Sequence, residues 1–161
     1  FDSVSVLTRK LTSVHMVLTT RMEFTPKVHQ HTAGIVLYYD NLNYLYLRKY
    51  YSDTLKQSAL SIVHAEKGTV KELTQTRTPV TEGAINLRLV IDGKETYFEW
   101  SCEGDWRRIG GKFDTTRFSD EFCGEFTGTM AGIACTDGVF RKNYADFDYF
   151  ELIDLEGEND D

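Results

Sequence analysis

The pair Asp92-Gly93 stands between two runs in which apolar and polar residues alternate, AINLRLVI (84–91) and ETYFEW (95–100). Alternation with a period of two is typical of a half-buried β-strand, and an Asp-Gly pair between two such runs is a strong signal for a β-hairpin. The same pattern predicts two further hairpins: residues 34–40 with 43–51 around Asn41-Leu42, and residues 58–66 with 69–74 around Lys67-Gly68. Short antiparallel strands joined by tight turns therefore dominate the chain.

Other strand-like segments extend this pattern, and helix-forming sequence is almost absent. Strands are predicted at 12–24, 106–109, 126–135 and 146–153, and a single helical turn at 117–122. Roughly ten strands at regular spacing indicate an all-β fold, a sandwich of two antiparallel sheets. The 161 residues, of which 41% are hydrophobic, are enough for one core. We expect one domain over residues 1–155 and an acidic, disordered tail at 156–161.

Charge and cysteine content argue against several classes of function. The net charge of −7 at pH 7 argues against nucleic acid or an anionic membrane as the partner. No apolar run is long enough to span a bilayer, and no signal peptide is evident. Cys102, Cys123 and Cys135 are an odd number without CxxC spacing, which argues against a zinc site or a disulfide framework. We expect reduced thiols, no cofactor and a cytoplasmic location.

The segment ADFDYFE (145–151) concentrates carboxylates near the end of the chain. On a regular strand Asp146 and Asp148 lie on one face, whereas Glu151 lies on the other unless a bulge intervenes. A retaining glycosidase needs two carboxyl groups about 5–5.5 Å apart, so this pair is a candidate catalytic site. The competing interpretation is an ordinary last strand whose Phe147 and Tyr149 pack inward, and we favour this structural interpretation.

Histidines and a tryptophan offer weaker candidates for a site. His29 and His31 flank Gln30 and provide two possible metal ligands, but a stable metal site needs three or four. We therefore expect solvated histidines and no metal. Trp106 follows a glycine turn, where it either folds back across the hairpin as a structural element or stacks against a sugar. We favour the structural role.

A polar, glycine-punctuated segment at 118–128 contains three phenylalanines, Phe118, Phe122 and Phe126. Loops rarely expose three such side chains to water, so these residues either return to the core or dock onto another surface. The sequence alone leaves both interpretations open.

Five segments, taken in order, carry a family resemblance: RMEFTPKVHQHTAGIVLYYDNLNYLYLR (21–48), LRLVIDGKETYFEWSCEGDWRRIG (87–110), RFSDEF (117–122), FTGTMAGIACTDG (126–138) and YADFDYFEL (144–152). With this order, and with coverage from about Val4 to Leu152, the chain resembles the C-terminal β-sandwich domain of family 43 glycoside hydrolases of the β-xylosidase type. The resemblance implies a concanavalin A-like jelly roll, here expected to lack its first strand. It also implies a preceding five-bladed propeller that holds the catalytic acids.

The resemblance further implies a role in the substrate pocket. In the family one loop of the sandwich reaches the propeller and contributes a phenylalanine to the wall of that pocket. The match to FTG places this role on Phe126, with Thr127 and Gly128 shaping the turn. Phe122 is the alternative residue, because the segment is short and Met130 stands where the family has a phenylalanine.

The resulting prediction is the accessory domain of a β-xylosidase- or α-L-arabinofuranosidase-like enzyme. It docks on a catalytic propeller of the same polypeptide and takes part in xylo-oligosaccharide and xylan degradation. Alone, it is expected to hydrolyse nothing. One alternative is a carbohydrate-binding module that uses exposed tyrosines of a concave sheet: Tyr38, Tyr44, Tyr46, Tyr50 and Tyr51. The other alternative is an active β-sandwich glucanase that uses Asp146 and Asp148.

Overall fold

The computed structural model describes residues 4–11, 13–26, 31–114, 129–136 and 146–155. These residues form eleven strands: β1 Val4–Lys10, β2 His15–Glu23, β3 Ala33–Asp40, β4 Asn43–Ser52, β5 Gln57–Glu66, β6 Thr69–Pro79, β7 Ala84–Asp92, β8 Glu95–Ser101, β9 Arg107–Asp114, β10 Met130–Thr136 and β11 Asp146–Asp154. No helix in this part of the chain is long and apolar enough to cross a membrane. The helical turn predicted at 117–122 and the tail at 156–161 lie outside the described residues.

The strands build two sheets in which every neighbouring pair is antiparallel. The six-stranded sheet has the order β1-β10-β3-β4-β5-β6, and the five-stranded sheet has the order β11-β2-β7-β8-β9. All three predicted hairpins are present as β3–β4, β5–β6 and β7–β8. The predicted all-β sandwich of two antiparallel sheets is therefore confirmed.

The core lies between the two sheets and follows directly from the alternation of the strands. Along β2 and β7, every second side chain is buried, and these residues face the partner sheet. The largest fully buried apolar side chains come from both sheets: Leu18, Met22, Ile35, Leu37, Leu45, Leu47, Leu60, Ile62, Ile85, Leu87 and Phe98. Removing this apolar surface from water is the main stabilising contribution to the fold.

The register of the strands defines two opposite ends of the sandwich. At one end Asp114 of β9 lies opposite Glu95, and Met130 of β10 lies opposite Tyr38 and Lys10. We call this the bridging end, because residues 115–128 connect β9 of one sheet to β10 of the other there. The turns 53–56, 80–83 and 102–106 lie at the opposite end, which we call the cleft end.

Two glycines of the six-stranded sheet permit unusually close approach of neighbouring backbones. A Cβ atom on Gly34 would overlap the carbonyl oxygen of Leu47 and lie 2.9 Å from Cα of Arg48. A Cβ atom on Gly132 would overlap the carbonyl oxygen of Leu7 in the same way. The obstacles are backbone atoms, which have little room to move. The pairing of β3 with β4 and of β10 with β1 therefore requires glycine, which has no side chain, at positions 34 and 132.

Candidate functional site

The residues predicted to reach a substrate pocket, Phe126, Thr127 and Gly128, and the alternative Phe122, lie outside the described residues. The structure does describe both attachment points of this segment, Asp114 on β9 and Thr129 before β10. The connection between them is 14 residues long. A connection of about that length is usually functional rather than a simple turn.

The attachment point on β9 is held by aromatic packing. Phe113 makes edge-to-face contacts with Phe98, at 6.4 Å between ring centroids, and with His64, at 6.0 Å. Three residues earlier, Gly110 adopts a φ of 75°, and a Cβ there would lie 2.8 Å from Cδ1 of Ile62. Because His64 and Ile62 belong to the other sheet, this end of β9 is fixed to both layers.

The attachment point on β10 is buried and hydrogen-bonded. Thr129 is fully buried, and its carbonyl oxygen accepts a hydrogen bond of 3.0 Å from the amide of Leu11. The hydroxyl of Thr8 donates to Sδ of Met130 at 3.3 Å. The segment 115–128 therefore starts and ends on rigid strands, as is common for loops that carry functional residues.

Residues 146–151 of the segment ADFDYFE belong to β11, the edge strand of the five-stranded sheet, which pairs with β2. Its interpretation as the last strand is confirmed. The register shifts within it, because Phe147 lies opposite Met22 and Tyr149 lies opposite Arg21, so that Asp148 is an additional residue. The candidate acid pair, Asp146 and Asp148, assumed a strand that alternates without interruption. That assumption is wrong for this strand.

The tyrosines proposed for a carbohydrate-binding module are mostly inaccessible. Tyr44, Tyr46 and Tyr50 expose only 4–6% of their surface, so the prediction that they are exposed is wrong. The physical reason is a second apolar cluster, in which Tyr44 and Tyr46 pack with small or β-branched neighbours: Val36, Ala65 and Ala134. The Tyr46 hydroxyl also lies 3.1 Å from Thr32 Oγ1, and burial raises its pKa above the usual range.

A charged network covers the same sheet face, and no sequence pattern indicated it. Arg48 donates to Glu72 at 2.7 Å, the Ser61 hydroxyl donates to Glu72 at 3.0 Å, and Arg77 also contacts this carboxylate. Burial alone would raise the pKa of Glu72, but the hydrogen bonds from Arg77, Arg48 and Ser61 lower it below its ordinary value. The Arg48 guanidinium lies 4.3 Å from the ring centroid of Tyr50. The network thus covers the ring of Tyr50, on which a sugar would have to stack in a carbohydrate-binding module.

The structure describes Trp106 and one of the two histidine candidates. The guanidinium of Arg88 lies 3.9 Å from the ring centroid of Trp106, and the same guanidinium donates to Glu99 at 3.0 Å. Trp106 is half-buried just before β9, and one face of its ring packs against Arg88 of β7. His29 and Gln30 lie outside the described residues and His31 is half-buried. Among the described residues, no group of three potential ligands is placed to hold a metal ion.

The cleft end carries an open cleft that no sequence motif indicated. Its larger part, of about 530 Å³, is lined by residues that include Arg21, Glu23, Glu82 and Glu103. An adjoining part of about 240 Å³ is lined by residues that include Trp100, Asp105 and Arg107. Cys102 and Glu103 line both parts, so the two form one continuous, strongly polar depression.

Lys49 lies behind this cleft and is the one charged residue that is fully buried in the described part of the chain. Its Nζ atom lies 3.8 Å from Oε2 of Glu82, and no described group accepts a hydrogen bond from it. Burial lowers the pKa of Lys49 below its ordinary value, although the nearby Glu82 and Cys102 raise it in part. The other oxygen of Glu82 accepts a hydrogen bond of 2.6 Å from Ser58. Glu82 is therefore held from behind by two groups.

Replacing Lys49 with methionine is expected to stabilise the chain by roughly 1 kcal/mol or more, because a buried ammonium without full hydrogen bonding costs more to desolvate than it gains. Glu82 remains solvated, since 56% of its side chain is exposed. Between the lowered folded-state pKa and the ordinary value of 10.5, the unfolded chain binds more protons, so wild-type stability rises with pH. The advantage of Lys49→Met should therefore shrink as the pH approaches 10.5.

Urea unfolding at about pH 7 and about pH 10 measures both effects. The control is Lys112→Met, because Lys112 is exposed and its ion pair is with the exposed Glu95; it should change stability by less than about 0.5 kcal/mol. A Lys49→Met variant less stable than the wild type at both pH values would show that the buried ammonium is net stabilising.

The comparison with protein families gives one match that spans nearly the whole chain. The family described as β-xylosidase C-terminal concanavalin A-like domain matches residues 1–152. The match begins before β1 and ends within β11, so it includes the segment between β9 and β10 and the cleft end.

Curated relatives carry this sequence as a part of longer proteins. The chain is 32% identical over 161 residues to a xylosidase/arabinosidase of Humicola insolens, covering 91% of this chain and 29% of the relative. It is 31% identical over 137 residues to a putative β-xylosidase of Escherichia coli, covering 81% of this chain and 26% of the relative. The chain therefore spans less than a third of the length of these relatives.

Solved structures show the same relationship. The xylan β-1,4-xylosidase of Bacillus halodurans matches with a TM-score of 0.83 and 31% identity, over 93% of this chain and 30% of that chain. A GH43 protein of Bacillus licheniformis matches with a TM-score of 0.78 and 28% identity, over 92% and 29% of the two chains. These values agree with the concanavalin A-like sandwich described above.

Proposed function

Because this chain belongs to the family of β-xylosidase C-terminal concanavalin A-like domains, we propose that it is the accessory sandwich of a glycoside hydrolase that degrades xylo-oligosaccharides. In this role it docks on a catalytic propeller of the same polypeptide and completes the substrate pocket of that propeller. The catalytic acids belong to the propeller, and the sandwich supplies stability and part of the pocket wall.

The observation that carries this proposal is that the matches cover most of this chain but less than a third of each relative. The family match spans residues 1–152, yet the chain corresponds to only 26–29% of relatives whose names describe xylosidase or arabinosidase activity. The greater part of each relative thus lies outside the matched sandwich. A division into a catalytic part and an accessory sandwich accounts for both facts.

The contact with substrate is proposed for the segment at the bridging end. Phe126 forms an aromatic wall there, with Thr127 and Gly128 shaping the turn, and Phe122 is the alternative. An aromatic side chain narrows a pocket, excludes water and stacks against a sugar ring. The fixed attachment points at Phe113 and Thr129 support this role, because they present the segment from strands that belong to both sheets.

The first test is the activity of the chain alone. The 161-residue chain is expected to release no product from aryl-xylosides or xylobiose under conditions in which an enzyme with its propeller is active. Measurable turnover that is lost on replacing Asp148 with asparagine would overturn the proposal in favour of a β-sandwich glucanase. The register shift at Asp148 argues against that alternative.

A further inference from the structure

We propose that the cleft at the cleft end is a second binding site that takes a neutral saccharide through its hydroxyl groups. The choice of xylo-oligosaccharide as the ligand rests on the proposed function, whereas the site itself rests on its own geometry. The residues that define it are Glu82, Glu103, Trp100 and Arg107, with Lys49 behind them.

The mixture of charges around the cleft selects the class of ligand. The cleft is lined by four carboxylates, those of Glu23, Glu82, Glu103 and Asp105, and by the guanidinium groups of Arg21 and Arg107. The excess of carboxylates disfavours a polyanion, and the two guanidinium groups weaken the attraction for a polycation. Sugar hydroxyls donate to carboxylates and accept from guanidinium groups, and these charge-assisted hydrogen bonds are stronger than neutral ones.

Glu82 is positioned for such a contact before any ligand arrives. The Ser58 hydroxyl donates to one of its oxygens at 2.6 Å, and the buried ammonium of Lys49 lies 3.8 Å from the other. Neither group saturates the carboxylate, because each oxygen can accept more than one hydrogen bond, and 56% of the side chain remains exposed. A fixed carboxylate loses little conformational freedom when it accepts hydrogen bonds from two neighbouring hydroxyls.

The buried Lys49 is a second and independent sign of a site. A fully buried lysine whose Nζ has no described hydrogen-bond acceptor is costly for the fold. Such a costly group is often found beside functional sites. Here its nearest described carboxylate, that of Glu82, lines the cleft, so the ammonium holds a binding group in place.

An apolar surface for a sugar ring lies in the adjoining part of the cleft. Trp100 is half-buried and packs on the main core, and the guanidinium of Arg107 lies 5.9 Å from its ring centroid. The exposed part of the indole offers the kind of apolar surface on which a pyranose stacks, and the guanidinium of Arg107 beside it can donate to sugar hydroxyls. Glu103 lies between this surface and Glu82, since it lines both parts.

The test is titration of the 161-residue chain with xylobiose, followed by two-dimensional ¹H–¹⁵N NMR. The expected result is saturable shifts at Glu82, Gly83 and Glu103. Glu103→Ala should weaken binding about tenfold, the loss expected for one hydrogen bond to a charged group. Glu82→Gln, which keeps the size of the side chain, should weaken it similarly. The control is Glu95→Ala, because Glu95 is exposed at the bridging end, and its affinity for xylobiose should equal that of the wild type.

Three outcomes would overturn the proposal: no saturable shifts, shifts confined to Tyr38 and Tyr51, or tighter binding of glucuronic acid or putrescine than of xylobiose. These outcomes are independent of activity. A failure of the accessory role would be seen as turnover by the chain alone, whereas a failure of this proposal would be seen as the absence of saturable shifts at Glu82 and Glu103.

Discussion

Replacing Gly34 with alanine is expected to lower the free energy of unfolding by about 3 kcal/mol or more. The added methyl group would overlap the carbonyl oxygen of Leu47 and approach Cα of Arg48 at 2.9 Å. Both obstacles are backbone atoms of the central strand β4, so relief requires β3 and β4 to separate, which costs more than moving a side chain. Urea denaturation followed by tryptophan fluorescence gives the value directly.

Gly111→Ala is the matched control for this substitution. Gly111 also lies in a strand, yet a Cβ there would meet no atom within 4 Å. Its replacement should change the free energy of unfolding by no more than about 0.5 kcal/mol. Equal effects at Gly34 and Gly111 would mean that the close approach of β3 and β4 is not what requires glycine.

Replacing Phe126 with alanine in an enzyme that contains the propeller is expected to raise KM for xylobiose at a cost of about 1–3 kcal/mol, the usual value of an apolar pocket contact. The aromatic wall binds the substrate and does not take part in bond cleavage, so the main effect falls on binding. Steady-state kinetics on xylobiose and on an aryl-xyloside measure it. The aryl-xyloside has an aryl group in place of the second sugar of xylobiose. The difference between the two substrates therefore gives the contribution of the sugar in the leaving-group position.

Two other phenylalanines of the same segment provide the comparison. Phe122→Ala tests the alternative residue, and Phe118→Ala removes an equal apolar area from a position to which no pocket role is assigned. If kcat and KM of the Phe126→Ala enzyme both match the wild type, Phe126 has no role in the pocket. If instead Phe122→Ala alone raises KM, the pocket role belongs to Phe122.

Local signals explain why the hairpins could be predicted from the sequence. A turn such as Asp92-Gly93 and the alternating runs beside it are set by neighbouring residues, and the structure contains all three predicted hairpins. The last residues of β6 were missed because 75–79 (QTRTP) is polar and ends in proline. β6 is an edge strand, so only one of its sides needs hydrogen bonds and its sequence is less constrained.

Long-range packing explains what could not be predicted. The tyrosines of β4 alternate in a way typical of an exposed face, but Val36 and Ala134 from neighbouring strands bury them. Lys49 did leave a signal, because it shares a face of β4 with the buried Leu45 and Leu47. The cleft that it supports is formed by the turns 80–83 and 102–106 and by the end of β2, which lie far apart in sequence, and no spacing rule joins them.

The edge strand β6 has a consequence for the behaviour of the sandwich as a separate protein. Its register shifts beside Leu60 and Ile62, it carries the charged residues Lys71 and Arg77, and it ends at Pro79. Irregular pairing, charge and proline all hinder the addition of a further strand from another molecule. The β6 edge thus hinders aggregation through strand addition. We therefore expect that the sandwich can be purified without aggregating when it is produced without a propeller.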